Sequence, residues 1–159
     1  VGVLFAGLMS CAEGLKVIEF NARFGDPETQ TILPRLNSDL LEVLLAATNG
    51  ELAGATLDWR DDACLGVVYA QNGYPGPHGS GSVIRGLDDA AADPNVLVFH
   101  AGTKADDDGT VRAVGGRTLC GSGLGPDLKT ARDRAYAAVD KLDWPEGFHR
   151  KDIGWRALS

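Results

Sequence analysis

The sequence lacks the features that several large protein classes require. Its apolar runs are all broken by a charge or a glycine well before the roughly 18 residues that cross a bilayer, and no basic region precedes an apolar stretch at its start. No membrane partner and no export signal are expected. Positive charge is in deficit: Lys+Arg number 15 against 22 Asp+Glu, giving a formal net charge of -7 and a pI near 4.8. Nucleic-acid affinity comes largely from clustered Lys and Arg on phosphates, and no basic stripe is present, so no nucleic-acid partner is expected. Cysteine is scarce. Cys11, Cys64 and Cys120 show neither CxxC nor metal-ligand spacing, which reads as buried or free thiols in a reducing cytoplasm. His78, His100 and His149 have no ligand spacing to one another and are assigned no chemistry. The phosphate-cradling pattern G-x-x-x-x-G-K-[ST] is missing as well.

What is there suits a chain with a core. At 159 residues, 44% hydrophobic and 23% charged, it has the length of about one ordinary domain and too much apolar material to be disordered throughout. It opens at Val1, not at a methionine, as a piece of a longer chain would. Residues 1–21 read as a hairpin: an apolar run to Met9, a turn at 10–14 and a strand at 16–21. Alternation puts Val17, Glu19 and Asn21 on one face and turns Ile18 and Phe20 toward a core. Asp26-Pro27 and Pro34 make residues 22–37 a shaped loop with a short helical turn at most. Asp39, with Glu42 three positions on, caps a helix of about three turns that stops at Asn49-Gly50.

After a polar stretch at 56–62, five short strands are predicted in one compact sheet, at 65–70, 82–85, 96–100, 111–114 and 117–120. A last helix, capped by Asp127, places Leu128, Ala131, Ala135, Ala138, Val139 and Leu142 on one face. Residues 121–125, read as lying between strand and helix, have G-x-G-x-G spacing, which is not the dinucleotide fingerprint.

The residues with the most chemical promise lie in VIEFNARFGDPETQ at 17–30. Glu19 and Asn21 offer a carboxylate and an amide oxygen on one strand face. Magnesium takes hard oxygen ligands, commonly one or two protein groups completed by water and nucleotide phosphates. Arg23 has the planar fork of donors that neutralises phosphate oxygens, and Asp26 and Glu28 suit a substrate ammonium. On residue types alone E-x-N is common, and a solvated strand face is the alternative.

The string EFNARFGDPETQTILPRLNSDL at 19–40 resembles the signature segment of the phosphoribosylamine-glycine ligase family, also called glycinamide ribonucleotide synthetases, ATP-grasp enzymes of purine biosynthesis. The likeness continues in order through NGYPG at 72–76, FHAGT at 99–103, GGR at 115–117, residues 131–137 and FHRKDIGWRAL at 148–158. It covers essentially the whole chain. It implies an α+β fold: residues 1–59 as the C-terminal part of an ATP-grasp lobe carrying a metal-ligand strand, and 60–159 as a small mixed sheet-and-helix C-terminal domain.

It further implies an ATP-dependent carbon-nitrogen ligase. Glycine and 5-phosphoribosylamine are joined to glycinamide ribonucleotide, with ATP cleaved to ADP and phosphate through glycyl phosphate. Glu19 and Asn21 become candidate ligands for Mg2+ or Mn2+, Arg23 the candidate catalytic residue, and Asp26 and Glu28 candidate substrate-binding residues. The family's ATP-contacting lysines and hinge lie upstream of the stretch matching Val1. The N-terminal part of the same enzyme is therefore an expected partner, and the isolated chain is expected to be inert. The loop at 74–81 departs from the family pattern, which has a lysine near Ser80. Arg150, Asp152 and Arg156 read as a structural ion-pair group tying the tail to the sheet. Two alternatives are a carboxylase-like ATP-grasp ligase, against which ARFGDPE speaks, and a non-catalytic interaction module. The uncovered first strand would favour self-association.

Overall fold

The computed structural model describes residues 1–158. It opens with an antiparallel hairpin of β1 (Phe5–Cys11) and β2 (Gly14–Asn21). The ladder persists to the pair Cys11 and Gly14, so the turn is tighter than the sequence suggests and holds only Ala12 and Glu13. Pairing shifts from Gly7 with Glu19 to Leu8 with Val17, which leaves Ile18 as the extra residue of a bulge. Ile18 and Phe20 do not enter a core; they are 63% and 61% exposed. Alternation identifies the residues that share a face, whereas cover must come from another element, and none of the described elements supplies it.

From β2 the chain passes through residues 22–28, where Asp26-Pro27 is cis, into α1 (Thr29–Ile32) and a 3-10 turn at Leu33–Arg35. The expected helix is α2 (Leu40–Asn49): the Asp39 side chain accepts from Leu41 N at 2.8 Å, and Gly50 closes it in the left-handed region at φ 78°. A 3-10 turn at Leu52–Gly54 precedes β3 (Ala63–Gln71), β4 (Val83–Ile84), α3 (Leu87–Ala90), β5 (Val96–His100) and β6 (Thr103–Ala105). Then come β7 (Val111–Ala113), β8 (Arg117–Gly125), α4 (Leu128–Val139), β9 (Gly147–His149) and a 3-10 turn at Trp155–Ala157. No helix among the described residues is long and apolar enough to cross a membrane.

The single compact sheet gives way to two antiparallel ones, a four-stranded sheet in the order β5-β8-β3-β9 and a three-stranded one in the order β4-β7-β6. The strands that sequence reading missed, β6 and β9, have three residues each. That is too short for period-2 alternation to register.

Residues 121–125 lie inside β8, where their glycines admit α4 rather than forming a turn. A Cβ at Gly121 would sit 2.7 Å from Val139 Cγ1, and one at Gly125 2.8 Å from the Ala131 nitrogen. One at Gly123 would sit 2.7 Å from the Ala135 nitrogen and collide with the Ala131 carbonyl oxygen. On this face the core collects Leu65, Val67, Tyr69, Leu119, Val139 and Trp144. The Trp144 ring meets Tyr69 edge-on at 5.4 Å, and its Nε1 donates to Ser82 Oγ at 2.8 Å, joining the segment before β4 to the core. On the opposite face a Cβ at Gly66 would sit 2.9 Å from Thr31 Cγ2 and 3.1 Å from Cys120 Sγ, so α1 lies close against the sheet there.

The tail is fastened to α4 by hydrogen bonds and also lies on the sheet, where a Cβ at Gly154 would sit 2.6 Å from Leu65 Cδ1 of β3. Tyr136 Oη donates to the Arg150 carbonyl at 2.8 Å and accepts from Ile153 N at 3.0 Å, while Arg132 Nε donates to the Ile153 carbonyl at 3.0 Å. Arg150 and Asp152 form a local exposed fork at 2.9 and 2.7 Å, and the Arg156 guanidinium lies 5.4 Å from the Trp155 ring centre. The His149 side chain is 6% exposed, edge-on to Tyr69 at 5.0 Å, and its Nε2 lies 2.8 Å from Lys151 Nζ. Burial first, and then the Lys151 ammonium, lower its pKa below 6.5 against the opposing pull of Asp140. The neutral ring accepts from Lys151 at Nε2, which puts its own proton on Nδ1.

Two outcomes follow. Gly123→Ala lowers stability by about 1–3 kcal/mol in denaturant unfolding, because backbone atoms receive the new methyl group. Gly54→Ala, whose Cβ would meet nothing within 4 Å, is the near-neutral control. For His149, the unfolded chain takes up a proton near pH 6.5 and the folded chain only at lower pH, so stability falls as pH drops below 6.5. His149→Gln removes that part of the slope in unfolding curves recorded across this range.

Candidate functional site

The two candidate cation ligands stand near the end of β2. Glu19 pairs with Gly7, where a Cβ would sit 3.2 Å from Glu19 Cγ, and Asn21 pairs with Phe5. The pleat places both on one face. Asn21 Nδ2 is buried without a hydrogen-bond partner, while its Oδ1 accepts a long 3.4 Å contact from Arg23 Nη2. Arg23 Nη1 donates to the Phe24 carbonyl at 2.7 Å. A carboxylate and an amide oxygen are the donor chemistry that a hard divalent cation takes. No group of three or more His, Cys, Asp or Glu positioned for a metal occurs among the described residues, so an ion here would draw its remaining oxygens from water or a ligand.

Asp26 and Glu28 follow in the loop, and the structure gives them different neighbours. Asp26 Oδ2 accepts from Arg117 Nη2 at 2.6 Å, and the Asp26 carbonyl accepts from Arg117 Nη1 at 3.1 Å. Glu28 folds back over buried Gly25, where a Cβ would lie 2.5 Å from Glu28 Oε2 and 2.9 Å from Phe5 Cδ2. Thr29 Oγ1 closes the turn by donating to the Gly25 carbonyl at 2.5 Å. Arg117 is the residue that sequence reasoning passed over as a site group. It lies 91 positions from Asp26, and only its place in the GGR string at 115–117 drew notice to it. The divergent loop at 74–81 lies beside its base: a Cβ at Gly116 would be 2.9 Å from Tyr74 Cε2 and 3.0 Å from His78 Nε2.

The hairpin thus ends in two oxygen donors on one face, and the charged loop after it is docked on the antiparallel sheet through Arg117. The chain matches the family description "Phosphoribosylglycinamide synthetase, C domain" over residues 64–156 and "Phosphoribosylglycinamide synthetase, ATP-grasp (A) domain" over residues 1–29. It belongs to the phosphoribosylglycinamide synthetase family. Among its relatives are the chloroplastic phosphoribosylamine–glycine ligase of Arabidopsis thaliana, 57% identical over 99% of this chain and 30% of the relative, and that of Phenylobacterium zucineum, 54% identical over 99% and 37%. The crystal structure of phosphoribosylamine–glycine ligase from Thermotoga maritima superposes with a TM-score of 0.73 at 29% identity, covering 95% of this chain and 36% of that one. The chain thus spans about a third of the length of the relatives it matches.

Two thiols lie on the α1 side of the sheet. Burial, reinforced by nearby Cys120 and opposed by Arg35, raises the Cys64 pKa to about 11. Burial also raises that of Cys120, whose Sγ lies 3.7 Å from Ser122 Oγ. Cys11 is exposed at the hairpin tip. A neutral-pH thiol reagent should label Cys11 in the folded protein and reach Cys64 and Cys120 only slowly or on unfolding, as mass spectrometry of modified peptides would record.

Proposed function

We propose that this chain is the carboxy-terminal part of an ATP-dependent ligase that joins glycine to 5-phosphoribosylamine, giving glycinamide ribonucleotide, ADP and phosphate in the cytoplasm. The observation that carries the reading is the common face of Glu19 and Asn21 immediately before the loop that bears Arg23, Asp26 and Glu28. Residues 1–59 are assigned to an ATP-grasp lobe and 60–159 to the C-terminal domain.

In this reading Glu19 and Asn21 hold Mg2+ or Mn2+, which supplies charge neutralisation where a glycine carboxylate meets the γ-phosphoryl group of ATP. The side chains bind and orient. The Arg23 guanidinium exchanges its exposed contact with the Phe24 carbonyl for phosphate oxygens. Asp26 and Glu28 receive amino groups of the substrates. The glycine carboxylate oxygen attacks the γ-phosphorus as ADP departs; the phosphoribosylamine nitrogen then attacks the activated carbonyl as phosphate departs. No protein nucleophile is needed.

In the full-length ligase containing this chain, Glu19→Ala should lower ATP-dependent amide formation about a hundredfold or more and raise the Mn2+ concentration needed for half-maximal rate, since metal stabilisation of developing charge is worth several kcal/mol. Unchanged rates would remove the metal role. The 159-residue chain alone, given ATP, glycine and 5-phosphoribosylamine, should release no phosphate. Release above background would overturn the view that the remaining ATP contacts lie elsewhere.

A further inference from the structure

We infer that Arg117 is a positioning residue for the candidate site, acting through Asp26: its guanidinium fork holds the loop of Arg23, Asp26 and Glu28 against the C-terminal domain. The inference rests on the ligase reading above. Arg117 donates Nη2 to the Asp26 carboxylate at 2.6 Å and Nη1 to the Asp26 backbone carbonyl at 3.1 Å. One planar group therefore fixes both the rotamer and the main chain of the same loop residue. A lysine carries its three donors on one nitrogen at the end of a flexible stem, so it lacks the rigid two-nitrogen geometry that fixes both acceptors.

The fork is aimed from a rigid base. The Arg117 carbonyl accepts from Gly102 N at 3.0 Å, the carbonyl of the preceding Gly116 accepts from Gln71 N at 2.7 Å, and that of the following Thr118 accepts from Ala101 N at 2.9 Å. Thr118 itself is fully buried and donates its hydroxyl to the Gly115 carbonyl at 3.0 Å. On the other side, the loop is shaped by Thr29 on Gly25 and by Phe5 lying close over Gly25, but none of these contacts sets the direction of Asp26. Removing the fork would leave the loop folded yet free to swing.

The side chains of Arg117 and Asp26 are 35% and 51% exposed, so the pair adds only about 0–1 kcal/mol to stability. A merely structural surface pair would move nothing else. A positioning pair loses far more in catalysis, since displacing substrate-orienting groups by even 1 Å costs about a hundredfold, and loss of a partner orienting a binding group about 10–100-fold.

The test uses the full-length ligase with Arg117→Gln, Arg117→Lys, Asp26→Asn and the double variant Arg117→Gln/Asp26→Asn. Arg85→Gln, which removes a 4.0 Å pair with Asp143 away from the loop, is the matched control. Arg117→Gln should lower kcat/KM for glycine about tenfold or more while the thermal midpoint stays near that of Arg85→Gln. Arg117→Lys should recover only part of the loss, and it carries the test should Arg117→Gln fold poorly. In the Asp26→Asn background, Arg117→Gln should add little beyond the remaining carbonyl contact. Wild-type kinetics in Arg117→Gln, full recovery in Arg117→Lys, fully additive losses in the double variant, or a loss that tracks the thermal midpoint would each overturn the positioning role. An inactive wild-type ligase would instead overturn the ligase reading on which it rests.

Discussion

The rest of the structure depends on how closely α4 lies on β8. Gly121, Gly123 and Gly125 remove the side chains that would hold the helix away, and Ala131 and Ala135 present nothing larger in return. Backbone then meets backbone across the centre of the domain, where an added methyl group has no rotamer by which to escape. This contact fixes β8 as an inner strand, flanked by β5 and β3. An inner strand has no freedom of register, because a one-residue slip would turn the glycines away from the helix and drive Cys120 and Ser122 into it.

That fixed register determines what the ends and the far face of β8 can do. Its first residue is Arg117, so the guanidinium leaves the sheet where the loop after β2 arrives. Cys120 and Ser122 point to the face taken by α1, where their small side chains and Gly66 let Thr31 approach. The loop at 22–28 is therefore gripped from two directions, by α1 lying on the sheet and by the arginine fork at the strand's start. A polar site built on a loop keeps its geometry only when its supports are stiffer than the loop, and β8 meets that condition.

Sequence reading recovered the elements whose cause is local. The Asp39 and Asp127 caps, the Gly50 stop and the hairpin all follow from neighbours a few residues apart, and the structure contains each of them. It failed where the cause was distant or the segment too short. The glycines at 121–125 read as lying between strand and helix, not inside a strand, since nothing nearby reveals that a helix will lie on them. β6 and β9 have too few residues to show a period, a bulge at Ile18 interrupts the alternation of β2, and nothing described here covers Ile18 and Phe20. At the candidate site, Glu19, Asn21, Arg23, Asp26 and Glu28 were legible because they fall in one string. Arg117 was not, because its pairing spans 91 positions.

The hairpin and the loop thus differ in how far this chain supports them. Leu8, Met9, Leu15, Val17, Ile18 and Phe20 are all at least half exposed, and a two-stranded ribbon without cover is marginal by itself. Its apolar residues acquire a purpose only within a larger sheet, which the proposed ATP-grasp lobe would supply. The loop needs no such help, being tied to α1 and Arg117 within the residues at hand. The proposed cation ligands and the proposed substrate ligands, all within the segment assigned to the lobe, therefore differ in their supports, and it is the Arg117–Asp26 contact that crosses the proposed seam to the C-terminal domain. A catalytic site beside such a seam requires the loop and the domain to be held at a fixed separation. Among the contacts described here, the Asp26 fork links the charged loop to β8 by both side chain and backbone.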